Sequence, residues 1–358
     1  SQAGNGPAIL DVSCCPCGAR AVLCSAGLVV LVQRLGNALT VGIGEQPLTG
    51  AQCKQVEVTV PNPFFHGNPV APNQFLDRRR ELRRIVSRIV NQGQSSALVG
   101  EPRTGKTSLL EYLAAPQTLS ELYGPDGDQF LFTYLDAETL GGQFSQAQFW
   151  EFALRPFYER AITPHPDSPL AEVYRVCQEN GFGAFVLERL LAQMAGAGWR
   201  LVLMLDEFDL LLHHPVLNSA EFFGSLRSLA SRSRGALALL IASRRSLESL
   251  NKETQELSRT GSPYFNFLTE IALGPWPDTA VDELLGWGAD RFTPSDRHFI
   301  KEVAGGHPFL LQAASSTLWE AYGDTTKQGP SLRRQRAGLD FYDNVAQVLQ
   351  DTWRFWPP

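Results

Sequence analysis

Nine consecutive residues, Gly100-Glu101-Pro102-Arg103-Thr104-Gly105-Lys106-Thr107-Ser108, carry the spacing G-x-x-x-x-G-K-[ST]. Each position has a physical task. Gly100 and Gly105 let the backbone wrap closely around an anion, so that loop N–H groups and a helix N-terminus point at its oxygens. Lys106 carries a charge suited to the β- and γ-phosphates of a nucleotide, and the Thr107 hydroxyl is placed to ligate Mg2+. Chance alone gives such a match in roughly one chain per hundred. Here the loop lies between a predicted strand and a predicted helix, as the chemistry requires.

About 100 residues further on, the apolar run Leu201-Val202-Leu203-Met204-Leu205 ends in Asp206-Glu207. Asp206 would hold the Mg2+ shell, and Glu207 would orient and polarise an attacking water. A solvated acidic turn is the plain alternative, and the pairing with the glycine-rich loop argues against it. Ser243, Arg244 and Arg245 follow another apolar run, where a polar or basic side chain can contact a γ-phosphate. Arg244 is the preferred sensor and Ser243 the second. Arg227 and Arg232 are the candidates for an arginine finger, although exposed helical arginines are usually solvated.

Five of the six cysteines, Cys14, Cys15, Cys17, Cys24 and Cys53, fall near the start, and Cys177 stands alone. Cys14 and Cys17 form C-x-x-C, but a zinc knuckle needs a second close pair and none is present, so structural thiols are the expectation. His213-His214 reads as a turn. His66 receives no role.

These residues need elements to position them. Leu82, Ile85, Val86, Ile89 and Val90 recur at helical spacing, predicting a helix over 79–91 with Asp77 as its cap. Strands are expected at 96–100, 129–136, 199–205, 235–242 and 269–273. Helices are expected at 105–115, 145–160, 183–195, 218–230, 278–285, 293 onward, 308–322 and 338–356. Ser145 with Gln148 is a capping box, and Thr293-Pro294-Ser295-Asp296 is a well-formed helix start. Apolar strands without alternation, separated by helices, indicate a parallel sheet covered on both faces. Before this pattern, residues 1–58 read as β-rich, with strands at 27–33 and 55–60. Pro61 to Asn73 reads as an extended linker.

Composition agrees. The chain has 358 residues, 44% hydrophobic and 19% charged, which excludes a disordered or collagenous protein. The net charge of −6 gives no bulk electrostatic case for nucleic acid, although Arg78-Arg79-Arg80, Arg83-Arg84 and Arg333-Arg334-Arg336 are local basic clusters. The longest apolar run, Ala21 to Val32, is too short to span a bilayer, so a cytoplasmic location without membrane contact is expected. A first residue other than Met and the aromatic end Trp353-Arg354-Phe355-Trp356 suggest a region excised from a longer chain.

In combination these parts resemble the signal-transduction ATPases with numerous domains (STAND), a branch of the AAA+ group of additional-strand P-loop ATPases. NPFFHGNPV with FLDRRREL is similar to that family's entry motif, LVGEPRTGKTSLLEYLA to its phosphate loop, LDEFD to its acidic motif and GGHPFLLQ to its lid motif. The resemblance spans residues 60–325. It departs at Asp77, where Gly is usual, and at Arg79, where an acid is usual. Arg78 aligns with the motif arginine.

The resemblance implies a three-layer α/β P-loop fold with parallel strand order 5-1-4-3-2 and a small helical lid. It places a linker and entry motif at 59–77, the ATPase core at 78–277, the lid at 278–326 and the start of a helical or winged-helix domain at 327–358. It implies ATP or ADP with Mg2+, slow hydrolysis used as a switch, nucleotide contact from Arg78, and Pro308 near the adenine. Effector and sensor modules in the same full-length chain, and a nucleotide-dependent homo-oligomer, are the implied partners. The rival reading is a DNA-associated ATPase of the initiator or transposition-helper type. A nucleotide-binding scaffold without turnover is a third, and Glu207 argues against it.

Overall fold

The chain folds into two units, Ser1–Pro63 with Gly288–Phe292, and Phe64–Trp287 with Thr293–Pro358. The computed structural model describes residues 20–23, 29–35, 38–44, 56–58, 61–257, 263–288, 291–323 and 329–354; in the first four stretches and at 92, 256–257 and 351–354 the backbone alone is described. The smaller unit carries four antiparallel strands in chain order: β1 (Arg20–Leu23), β2 (Val29–Leu35), β3 (Ala38–Gly44) and β4 (Val56–Val58). The β-rich reading of this region thus corresponds to a four-stranded meander. The five early cysteines lie outside the described residues, as do Phe355 and Trp356.

The larger unit begins its regular structure with α1 (Arg79–Ser87), which widens into a π-turn at Arg88–Gln92. Then follow β5 (Ser96–Val99), α2 (Lys106–Ala114), α3 (Pro116–Tyr123), β6 (Phe130–Asp136), α4 (Gln146–Ala153), α5 (Arg155–Phe157), α6 (Pro169–Glu179), α7 (Ala184–Gly196), β7 (Arg200–Asp206), α8 (Ala220–Arg232), β8 (Leu237–Ser243), α9 (Leu247–Glu253) and β9 (Thr269–Ala272). The strands form one parallel sheet in the order β6-β7-β8-β5-β9. Numbered within the sheet, this is 2-3-4-1-5, the expected order read from the other edge.

Alternation explains why these strands look uniformly apolar. Leu201, Leu203 and Leu205 of β7, with Leu237, Leu239 and Ile241 of β8, face a core shared with Phe149, Trp150, Phe222 and Phe223. Val202, Met204, Ala238, Leu240 and Ala242 face the opposite core, with Ile85, Leu109, Leu110 and Leu113. Both sheet faces are buried, so both parities are mostly apolar, and a polar exception such as Thr133 donates to a carbonyl, that of Ala153 at 2.8 Å.

Several boundaries depart from the sequence reading for local reasons. Asp77 does not cap α1. It stands at φ 58° beside Arg78 at φ 61°, in the left-handed region that favours glycine and that Asp tolerates better than most residues. The helix expected over 145–160 keeps its capping box at Ser145 but breaks at Leu154, just ahead of Pro156, into α4, α5 and a π-turn. Helices α3, α6 and α9 were not expected. The first two begin at Pro116 and Pro169, in segments whose prolines read as loop but serve as first helical residues.

After β9 come α10 (Asp278–Gly286), α11 (Pro294–Ala304), α12 (Pro308–Gly323) and α13 (Pro330–Arg354). The last begins at Pro330 rather than at Gly338. Three of these helices meet at the buried Asp296 carboxylate. It accepts hydrogen bonds from Thr293 at the start of α11 (2.7 Å), Tyr322 of α12 (2.6 Å) and Arg334 of α13 (3.1 Å). Burial alone would raise its pKa, but these bonds outweigh burial and hold it below the usual carboxylate value. No helix among the described residues is long and apolar enough to cross a membrane.

Candidate nucleotide-binding site

The glycine-rich loop spans the gap between the end of β5 and the start of α2. Gly105 sits at φ +91° with open space where a Cβ would be, so the bend itself demands glycine. Gly100 is fixed by packing instead: a Cβ there would lie 2.8 Å from Thr104 Oγ1 and 2.9 Å from the Leu273 carbonyl. Lys106 is buried at the foot of α2. Its Nζ donates to the carbonyls of Gly100 (2.9 Å) and Glu101 (2.9 Å), inside the loop that would hold an anion. Burial lowers its pKa, and the nearby carboxylates Glu207 and Asp206 push the other way.

Strand β7 delivers the two acids to the same end of the sheet. Thr107 Oγ1 donates to Asp206 Oδ2 at 2.6 Å, and the Tyr134 hydroxyl of β6 donates to the same oxygen at 2.9 Å. Burial, with Asp206 adding to it, raises the Tyr134 pKa, so the ring stays a donor. A buried carboxylate and a hydroxyl converging at one point are the hard oxygen donors that Mg2+ takes. Glu207 adopts φ 47°, which turns its side chain out of the strand direction. Arg244, just past β8, donates from Nε to Glu207 Oε2 at 2.9 Å, and its backbone N–H reaches Asp209 Oδ1 at 3.3 Å. Burial would lower the Arg244 pKa, but the Glu207 hydrogen bond and charge outweigh it and raise it.

A cavity of about 240 Å³ lies over this end of the sheet. Of the residues singled out from the sequence, Arg78, Arg103, Thr104, Gly105, Lys106, Thr107, Ser108, Glu207 and Pro308 line it. Asp206 and Arg244 stand behind that wall, reached through Thr107 and Glu207. Ser243 does not line it, and its Oγ accepts the Arg245 N–H at 2.9 Å. Glu101 contributes its carbonyl to Lys106, and the His307 ring hydrogen-bonds the Pro102 carbonyl. Arg227 donates to the Pro263 carbonyl (3.1 Å), and Arg232 pairs with Glu188 (3.2 Å), so both finger candidates have partners within the chain.

The segment read as a linker forms a wall of the cavity. Phe65, His66, Val70 and Phe75 line it, opposite Phe309 and Gln312 of α12. The Phe65 N–H donates to Gln312 Oε1 at 3.0 Å, tying this strap to the lid. The Val70 N–H donates to Ser108 Oγ at 3.1 Å, tying it to α2. Arg78 anchors its end through the carbonyls of Thr104 (3.2 Å) and Gly274 (2.8 Å). On the loop side, the Arg103 guanidinium lies 4.5 Å from the Phe309 ring centroid, and the His66 ring lies 6.1 Å from it on an edge-to-face geometry. Two aromatics followed by His-Gly within a proline-rich stretch were the available signal for this wall. Tyr134 had none, since a tyrosine in an apolar strand reads as core.

The family model described as an AAA domain matches residues 89–250. A search of curated proteins finds no match. Among solved structures, a Walker-type ATPase of Pyrococcus abyssi superposes with a TM-score of 0.50 at 15% identity, over 79% of this chain and 75% of that one. The ORC2 protein of Aeropyrum pernix, in ADPNP–ADP complexes, gives 0.52 at 15% identity, over 76% and 70%. At such identities the likeness is one of fold. Residues 89–250 are thus similar to an AAA domain, and the sheet order and loop geometry are those of a P-loop ATPase fold.

Proposed function

We propose that the chain is an ATP-binding, Mg2+-dependent switch of the STAND type that hydrolyses slowly. The observation that carries this reading is the Glu207–Arg244 ion pair at 2.9 Å. The carboxylate suited to activate water is held by the arginine suited to read a γ-phosphate. Arrival of that phosphate would draw Arg244 away and free Glu207, so nucleotide state and side-chain arrangement are coupled. Lys106 would exchange the Gly100 and Glu101 carbonyls for phosphate oxygens. Thr107 and Asp206 would hold Mg2+, which when bound neutralises charge on the β- and γ-phosphates. Glu207 would accept the proton of the attacking water, and Pro308 and Phe309 would border the base. Through the lid, the change would reach sensor and effector modules of a longer chain or a second copy.

Binding of labelled ATP with Mg2+, and phosphate release, test the reading together. Lys106→Ala is expected to abolish binding. Glu207→Gln is expected to keep binding within a few-fold while phosphate release falls by about 10² or more. Equal losses of binding in both variants would contradict the roles assigned.

A second reading, a DNA-associated ATPase, has one observation in its favour. Arg79, Arg80, Arg83 and Arg84 are exposed on α1, and among the described residues none has an acidic partner within 4.0 Å. Duplex binding measured across a salt series discriminates: a steep slope favours this reading, and a flat one favours the switch.

A further inference from the structure

Helix α13 carries two apolar stripes where a lid helix needs one. Ala337, Phe341 and Val345 are buried, on the face that also sends Arg334 to Asp296. At 3.6 residues per turn, a second stripe is centred roughly 130° around the helix. It consists of Leu332, Leu339, Tyr342 and Leu349, which are 52%, 64%, 61% and 40% exposed. With Gln335 and Ala346 between them, these residues alternate in steps of three and four, the a and d positions of a heptad. The sequence keeps the register at Trp353. A solvated helix has no use for that spacing, because a 3.5-residue period matters only where a second helix lies alongside.

We infer that this seam binds the same seam of a second copy, antiparallel, about a two-fold axis near residues 340–341. The charges choose both occupant and direction. In antiparallel pairing Leu332 meets Leu349 of a second copy, Gln335 meets Ala346, and Leu339 meets Tyr342, so every apolar layer is filled. Arg336 then flanks Asp343 of the second copy and Asp343 flanks its Arg336, giving two ion pairs by symmetry. Parallel pairing offers nothing comparable. It sets Arg336 against Ser331, Asp343 against Gly338, and Gln350 against Val345. The seam runs about 26 Å from Leu332 to Leu349. The inference does not depend on nucleotide, because no seam residue touches the cavity.

Sedimentation equilibrium of the full chain without nucleotide is expected to show a dimer at micromolar concentration. Leu339→Glu and Tyr342→Lys, both at exposed positions, are each expected to weaken association by about 100-fold with unchanged thermal melting of the monomer. Arg336→Asp is expected to weaken it by about 10-fold, and adding Asp343→Arg to restore it. A monomeric wild type overturns the proposal and leaves the seam to a helix of another protein. A dimer indifferent to Leu339→Glu and Tyr342→Lys overturns it as well. A double charge reversal no tighter than the single one overturns the antiparallel register.

Discussion

On the proposed reading, Arg244 exchanges the Glu207 carboxylate for a γ-phosphate. The cost of breaking the Glu207 bond would then be met by the nucleotide. Arg244→Ala is expected to weaken ATP about 10- to 100-fold while leaving ADP nearly unchanged, since a charge-assisted hydrogen bond contributes about 1.5–3 kcal/mol. Paired titrations of the two nucleotides check this, and an equal loss for both would remove Arg244 from the γ-phosphate. His307 gives a pH signature. Burial depresses its pKa below 6.5, the Pro102 hydrogen bond opposes this, and the cations Arg78 and Lys106 add to it. As pH falls below 6.5 the unfolded chain takes up a proton that the folded chain resists, so stability declines on acidification and is full above that value. His307→Gln is expected to lose less melting temperature than wild type between about pH 7.5 and 5.5. The convergence of Lys106, Thr107 and Asp206 at one end of the sheet was legible in the sequence because spacing along one loop and one strand end defines it. The Glu207–Arg244 bond was not. It depends on β7 and β8 being parallel neighbours, with Leu205 beside Ile241, which no local pattern states.

At the scale of elements, the strap shows what composition conceals. Prolines and glycines between 61 and 73 are what a linker has, yet Phe64 is buried and the next residues close the cavity. A proline-rich segment keeps free N–H groups wherever a non-proline intervenes, and two of them, Phe65 and Val70, are used to fasten it. Gln312→Leu removes the acceptor of one. The stranded Phe65 N–H is expected to cost about 1–3 kcal/mol, read as a lower melting temperature and faster amide exchange at Phe65. Unchanged exchange there would mean that the strap is held by other contacts. The parallel sheet, by contrast, could be read from its sequence. Its strands are short, apolar at both parities and separated by helices, and only a doubly covered sheet accepts that pattern. The missed helices α3 and α9 are short, and the proline or serine starts of α3, α6 and α9 look like loop until packing is known.

For the molecule as a whole, a ligand that binds only the folded form must stabilise it. ATP with Mg2+ at 100 times its dissociation constant adds about 2.7 kcal/mol. For a unit of this size that is expected to raise the melting temperature by about 4 °C. Lys106→Ala is expected to show no rise, and a rise equal to wild type would place the ligand elsewhere.

The meeting of three helices at Asp296 has a mechanical result. Because α11, α12 and α13 are pinned at one buried carboxylate, they cannot slide independently, and α13 acts as a stiff arm about 37 Å long. A tilt of about 10° applied where Pro308 borders the cavity would sweep the far tip of that arm through roughly 6 Å. If the site switches as proposed, an event the size of one phosphate group would be geared up to a displacement the size of a side chain, delivered at the opposite end of the lid.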